Sequence, residues 1–211
     1  MFFSNISRRK TVEKLIIGLG NPDSGYRFTR HNAGAWAVKI FAQKHKLVFK
    51  NSRSFKSLIA RGKIEGHDIA LILPQTYMNL CGEAVAAYFK KHNTLFKNIL
   101  VVYDDVALPL GDVRFKGQGS AGGHNGLVSV INRLSTQDFA RLKIGIDGAD
   151  CENLSDYVLA KFCEDEKKVL EEALNRSAEA MRVWILEGVD KAMNYYNKKE
   201  NKEGKILGER S

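Results

Sequence analysis

Residues 14–41 read KLIIGLGNPDSGYRFTRHNAGAWAVKIF, and this stretch decides the fold class. Leu15 to Leu19 is apolar, interrupted only by Gly18 and closed by Gly20. That is the pattern of a strand buried on both faces of a parallel sheet. Ala33, Trp36, Ala37, Ile40 and Phe41 then fall at i, i+3, i+4, i+7 and i+8. They form one helical face, and Asn32 is placed to cap it. A buried strand followed by an amphipathic helix opens an α/β domain.

The alternation continues outward. Phe55–Gly62 and Asp68–Leu73 read as two strands joined by a turn at Glu65-Gly66. A helix follows over Glu83–His92, then a buried strand at Asn98–Tyr103. Residues 104–125 are glycine-rich and read as irregular; Gly126–Leu134 reads as helix and Phe139–Ile146 as strand. Glu164–Leu186 is a long amphipathic helix whose stripe of Val169, Leu170, Ala173, Leu174, Ala178, Met181, Trp184 and Ile185 belongs to the core. The prediction is a single α/β domain over residues 14–196, with a mixed, mostly parallel central sheet flanked by helices. Residues 1–13 read as a flexible arm and 197–211 as a flexible basic tail.

Composition narrows the class. Lys and Arg number 33 against 24 Asp and Glu, a formal net charge of +9. The tail from Asn197 holds five basic and three acidic residues, so +7 belongs to the body. Between Ser24 and Ile64 stand ten Lys or Arg and no acid at all, a bias that suits a polyanionic partner. Such a bias also serves plain solubility. No apolar run approaches the ~20 residues of a membrane helix, and the basic start lacks the apolar core of a signal peptide. Cys81, Cys151 and Cys163 are odd in number and unpaired in spacing, as in a reducing cytoplasm.

In a sheet of this kind, ligands bind beyond the carboxyl ends of the strands. Polar residues from separate segments converge there: Asn21 and His31 after the first strand, Asn79 after the LILP strand, Asp104 after NILVVY, and His124-Asn125 after the glycine loop. A histidine beside a carboxylate serves as a base near neutral pH. Asparagine amides hold a carbonyl or a water without charge, although Asn is also a common turn residue.

Other chemistries fit poorly. Gly18-Leu19-Gly20-Asn21-Pro22-Asp23 lacks the third glycine of a dinucleotide fingerprint, and no acid occurs between Asp23 and Glu65 to bind a ribose. Around Ser120 the glycine falls one place too late for a nucleophile elbow. The histidines, at 31, 45, 67, 92 and 124, show no metal-binding pair, so neither cofactor nor metal is expected.

Taken together, GLGNPDSGYRFTRHNAGAW, PQTYMNLCGEAV, VVYDDVALPLG and GSAGGHNGL resemble bacterial-type peptidyl-tRNA hydrolase over roughly Lys14–Tyr196. The resemblance implies a cytoplasmic, monomeric, cofactor-free esterase that cleaves peptide from the 3′ ribose of tRNA and so recycles tRNA in translation and ribosome rescue. It places the catalytic histidine at His31, its orienting aspartate at Asp104, and at Asn21 the residue that tells blocked peptides from free aminoacyl groups. It makes Tyr26 and Tyr77 aromatic positions of the substrate groove and Asn79 and Asn125 substrate-binding amides. Met78 and His124 would shape the pocket, and Arg114, Lys116 and Lys143 would meet tRNA phosphates away from the chemistry. Asp23 stands where the family often has glycine, Ala107 where it often has an acid. DGADCENL follows LKIGI where relatives often carry a Gly-Arg-Pro-like turn. Two rival classes remain, a non-catalytic RNA-binding module on the same fold and a dinucleotide-dependent oxidoreductase.

Overall fold

The computed structural model describes residues 13–148 and 150–198. In chain order the strands are β1 (Lys14–Gly18), β2 (Lys50–Ser52), β3 (Ser57–Ile64), β4 (His67–Pro74), β5 (Ile99–Asp105), β6 (Val113–Lys116) and β7 (Ala140–Gly145). The helices are α1 (Ala33–Lys44), α2 (Cys81–His92), α3 (Asn125–Leu134), α4 (Leu154–Leu159) and α5 (Glu164–Tyr196). Among the described residues the strands form one seven-stranded sheet in the order β2-β3-β4-β1-β5-β7-β6. The central pairs β4–β1, β1–β5 and β5–β7 are parallel, and the pairs toward both edges are antiparallel.

Strand β1 lies at the centre because both of its faces can be covered. Leu15 and Ile17 pack with Val85, Tyr88, Leu127 and Val130 of α2 and α3, while Ile16 joins Val38, Phe41, Met181 and Trp184 of α1 and α5. Full burial of each such side chain is worth about 1.5–3 kcal/mol, so two layers of them hold the helices to the sheet. The β3–β4 hairpin turns at Glu65-Gly66, both at positive φ (47° and 87°), as a two-residue hairpin loop requires. Glycine lets α1 sit close on β5: a Cβ at Gly34 would collide with the Val102 carbonyl.

The structure departs from the sequence reading in several places. Residues 104–125 are not wholly irregular: β5 runs to Asp105, and β6 pairs with β7 at the sheet edge. Strand β2 (KNS) and the six-residue helix α4 (LSDYVL) are too short to show a period that could be read in advance. Asn32 does not cap α1 through its side chain, which is turned back onto Asn21. Helix α5 continues past Leu186 to Tyr196 through a kink at Gly188 (φ 85°), where glycine tolerates the break. Glu13 and Asn197, assigned to the arm and tail, belong to the body: Glu13 accepts from the Tyr88 hydroxyl at 2.8 Å, and Asn197 bonds both backbone groups of Phe115 at 2.8 and 2.9 Å. Residues 1–12 of the arm and 199–211 of the tail lie outside the described residues.

Candidate active site

The short turn at residues 30–32 carries His31 past the carboxyl end of β1, while Asp104 stands near the end of the neighbouring strand β5. This is the crevice where the order of strands reverses, the chain adding β4 on one side of β1 and β5 on the other. His31 Nδ1 lies 2.9 and 3.0 Å from the two Asp104 oxygens. His31 is 6% exposed and Asp104 2%, so water does not dilute the contact.

A second imidazole meets the same carboxylate. His124 Nε2 is 3.1 Å from Asp104 Oδ1, and His124 Nδ1 accepts the Leu127 backbone N–H at 3.2 Å. A ring nitrogen that accepts is unprotonated, so His124 carries its proton on Nε2 and donates it to Asp104. The Asp104 oxygens likewise favour the proton of His31 on Nδ1, which leaves the lone pair on Nε2. Burial alone would raise the Asp104 carboxyl. The electrostatic pull of the two imidazoles, His124 first and then His31, and the N–H that each donates outweigh burial and hold it well below the usual carboxylate range. His31, Asp104 and His124 present nitrogen and oxygen atoms within 4.8 Å of one another, the donor types a transition metal takes. Their N···O contacts of 2.9–3.1 Å are hydrogen-bond lengths, so the trio as built shares protons.

These three groups line a cavity of about 350 Å³. Lys116 and Lys143 stand on its sheet side and Leu154 and Val158 of α4 on another. The α4 wall is tied to the His31 turn. The buried Arg30 guanidinium pairs with Glu166 at 2.9 Å and lies 4.4 and 4.5 Å from the Tyr157 and Phe162 rings. Tyr157 in turn donates its hydroxyl to the carbonyls of Ile146 and Asp147, at 2.6 and 2.8 Å.

Asn21 is tied to Asn32, the residue that follows His31. Its backbone bonds the Asn32 side chain in both directions, at 2.8 and 3.0 Å, and its own Oδ1 accepts the Met78 N–H at 2.8 Å. Met78 itself is buried, with its sulfur against Gly126 at the start of α3. Tyr26 is half-buried and Tyr77 exposed on the same rim, where a hydrogen bond to the Asp23 carboxylate raises the Tyr77 phenol. The departure at Asp23 thus gains a partner, Tyr77. Asn79 lies outside the His31 cavity. It borders a neighbouring groove with Asn125, and Asn125 lines both.

Two expectations change. Lys116 and Lys143 are not remote from the chemistry but line the same cavity as His31, because β6 and β7 carry them to its wall. Arg114 lies directly across from Lys143, and Lys116 across from Arg141, so these side chains share one sheet face. Arg114 pairs with Asp112 at 2.8 Å and Lys143 with Asp105 at 2.5 Å. His124 is more than a pocket wall, being the second donor to Asp104. Sequence offered no signal for that, since the contact joins residues 20 apart across a glycine loop. Arg141, fully buried, holds that loop by donating to the carbonyls of Gly119 and Ser120.

The peptidyl-tRNA hydrolase family model matches residues 15–204, nearly the whole chain. This chain belongs to the peptidyl-tRNA hydrolase family. A peptidyl-tRNA hydrolase of Clostridium acetobutylicum is 45% identical over 185 residues, covering 87% of this chain and 97% of that one. One of Chloroflexus aggregans is 46% identical over 185 residues, 87% and 98% of the two chains. The crystal structure of peptidyl-tRNA hydrolase from Acinetobacter baumannii superposes with a TM-score of 0.84 at 37% identity, over 90% of this chain and 97% of that one. A 5′-methylthioadenosine nucleosidase of Arabidopsis thaliana, with a TM-score of 0.50 at 10% identity, shares the fold alone. Among the described residues no helix is long and apolar enough to cross a membrane.

Proposed function

We propose that this protein hydrolyses the ester bond of peptidyl-tRNA, releasing peptide and free tRNA, with a water molecule deprotonated by His31. Family membership supports the reaction and substrate. The observation that carries the mechanism is the pair of contacts between His31 Nδ1 and the buried Asp104 carboxylate. With Nδ1 protonated and held, His31 Nε2 is a base aimed from the wall of a cavity large enough for an ester and its water. As Nε2 takes the proton, Asp104 stabilises the imidazolium. The hydroxide adds to the ester carbonyl, and collapse expels the ribose oxygen, which takes a proton back. General-base help of this kind contributes about 10²–10⁴-fold.

Asn21, through its bonds to Met78 and Asn32, keeps the rim beside His31 in place, and its free amide nitrogen is available to a substrate carbonyl. Asn79 and Asn125 bind the substrate beyond the reacting carbonyl, with Tyr26 and Tyr77 lining the approach. The cations Arg114, Lys116 and Lys143 hold tRNA phosphates, positioning the ester with little reading of base sequence. His31, Asp104 and the asparagines all come from this one chain, so the reading needs only a monomer and suits the cytoplasm where tRNA is recycled.

The test is to incubate the protein with N-acetyl-aminoacyl-tRNA and with unblocked aminoacyl-tRNA, without added cofactor. Release of the blocked amino acid alone is the expected result. Cleavage of neither, or of both at equal rate, would overturn the reading.

A further inference from the structure

Residues 117–123 read GQGSAGG, and Gly119, Gly122 and Gly123 all take positive φ (146°, 57° and 81°). A glycine chain is costly to order, because glycine has the most backbone freedom to lose. The site nonetheless needs this loop ordered. His124, at its end, meets Asp104 at 3.1 Å, and its ring lies 4.7 Å from the His31 ring. Among the described residues, the backbone of 119–123 makes one hydrogen bond to other backbone, the Ala121 carbonyl accepting the His124 N–H at 3.1 Å.

Arg141 of β7 supplies the rest. Its Nη1 donates to the Ser120 carbonyl at 2.8 Å, and its Nη2 donates to the carbonyl of Gly119 and reaches that of Gln137 at 3.4 Å. The guanidinium lies 5.0 Å from the Phe139 ring. It is fully buried, yet among the described residues no carboxylate pairs with it. A buried cation without an anion is a poor source of stability. What the guanidinium offers instead is a planar fork, whose N–H groups point in fixed directions and hold two successive carbonyls at once. Lysine carries the same charge without that fork. Gly119 makes room for the approach, since a Cβ there would stand 3.2 Å from Nη1.

We propose that Arg141 is a positioning residue for the hydrolysis: by clamping Gly119 and Ser120 it holds His124 on Asp104, and so fixes the carboxylate that orients His31. This rests on the ester-hydrolase reading above. The linkage closes on itself. Asp104 lies on β5, β5 pairs with β7, β7 carries Arg141, Arg141 holds the loop, and the loop returns His124 to Asp104. With the loop released, Asp104 keeps one imidazole instead of two. Its charge then acts on His31 alone and favours the imidazolium, while the carboxylate is free to turn. His31 becomes harder to deprotonate and less well aimed at once. A lost structural contact elsewhere in the sheet would do neither.

The experiment follows single-turnover cleavage of N-acetyl-aminoacyl-tRNA across pH for wild type, Arg141→Lys, His124→Ala and the double variant. Lysine keeps the charge, and Tyr103, Asp105, Lys116 and Lys143, the other titratable groups of the cavity wall, stay in place, so a changed profile reports His124. In Arg141→Lys the plateau rate should fall about tenfold, the low end for a hydrogen bond to a charged group, and the acid limb should move to higher pH. With His124 already replaced, Arg141→Lys should cost no more than about twofold, because both changes break one linkage. An unchanged plateau, an unmoved acid limb, or losses that multiply in the double variant would each overturn the proposal. Arg141→Met removes the unpaired charge at similar length and gives a second protein should the lysine variant not fold. The NMR signal of the His124 Nε2 proton is the second measurement: protected from exchange in wild type, it should exchange freely in either variant, and unchanged protection overturns the clamp. No cleavage by the wild type would sink the underlying function, and the Nε2 proton would still decide the clamp.

Discussion

Replacing Asp104 by asparagine removes one charge from the site and almost no volume. The wild-type carboxylate accepts from His31 at 2.9–3.0 Å and from His124 at 3.1 Å. Asparagine offers one acceptor oxygen, and its NH₂ must face one of two N–H groups. His124 cannot readily exchange tautomers, since its Nδ1 is bonded to the Leu127 N–H. His31 therefore meets the NH₂ and turns Nδ1 into an acceptor, which moves its proton to Nε2 and blocks the base. The electrostatic part is estimated from the contact length. A carboxylate and an imidazolium with charge centres about 4 Å apart interact by roughly 4 kcal/mol at an effective dielectric of about 20. Sharing of the carboxylate with His124 reduces what His31 receives, so a loss of about 10²–10³ in kcat is expected, at ~1.36 kcal/mol per tenfold. His31→Ala, which removes the base altogether, should lose more. The assay is single-turnover release of N-acetyl-amino acid from tRNA with enzyme in excess, on variants whose circular dichroism matches the wild type. An Asp104→Asn protein within threefold of wild type, or one slower than His31→Ala, would refute the assigned division of labour.

Three further outcomes follow from the same geometry. The Asp104 carboxyl is held below its ordinary value in the folded protein, so it stabilises the fold wherever the unfolded carboxyl is ionised, and that gain fades as pH falls from about 4 toward the folded value. Urea unfolding should therefore show wild type ahead of Asp104→Asn at pH 7 by a margin that shrinks at pH 3; a margin that grows in acid would contradict it. Affinity for whole tRNA should fall with salt at a log–log slope of about −2 to −3 if Arg114, Lys116 and Lys143 each meet a phosphate, whereas a short esterified nucleotide should respond little; equal slopes would remove the cationic track. Gly34→Ala should cost about 1–3 kcal/mol in urea unfolding through collision with the Val102 carbonyl, and should also slow turnover because α1 begins directly after the His31 turn; a fully stable variant would mean that α1 has room to move off β5.

Strands β1, β4 and β5 were legible because burial on both faces demands unbroken apolar runs, and α5 because one covered face demands a stripe at helical spacing. Strands β2 and β6 and helix α4 were not, because three, four and six residues are too few to set a hydrophobic period. At the site, the motifs marked His31, Asp104, Asn21, Asn79 and Asn125 as residues of interest. What they left unstated were the contacts: that Asn21 is clamped between Asn32 and Met78, that Lys116 and Lys143 face the His31 cavity, and that His124 shares Asp104.

The chain by itself determined a parallel-centred α/β sheet and the family, since hydrophobic period and local motifs are properties of neighbouring residues. The tertiary structure alone decided which nitrogen of each imidazole carries its proton and that Lys116 and Lys143 line the cavity of His31. Both depend on atoms brought together from distant segments, His31 and Asp104 being 73 positions apart, and no local pattern encodes a hydrogen bond across that distance.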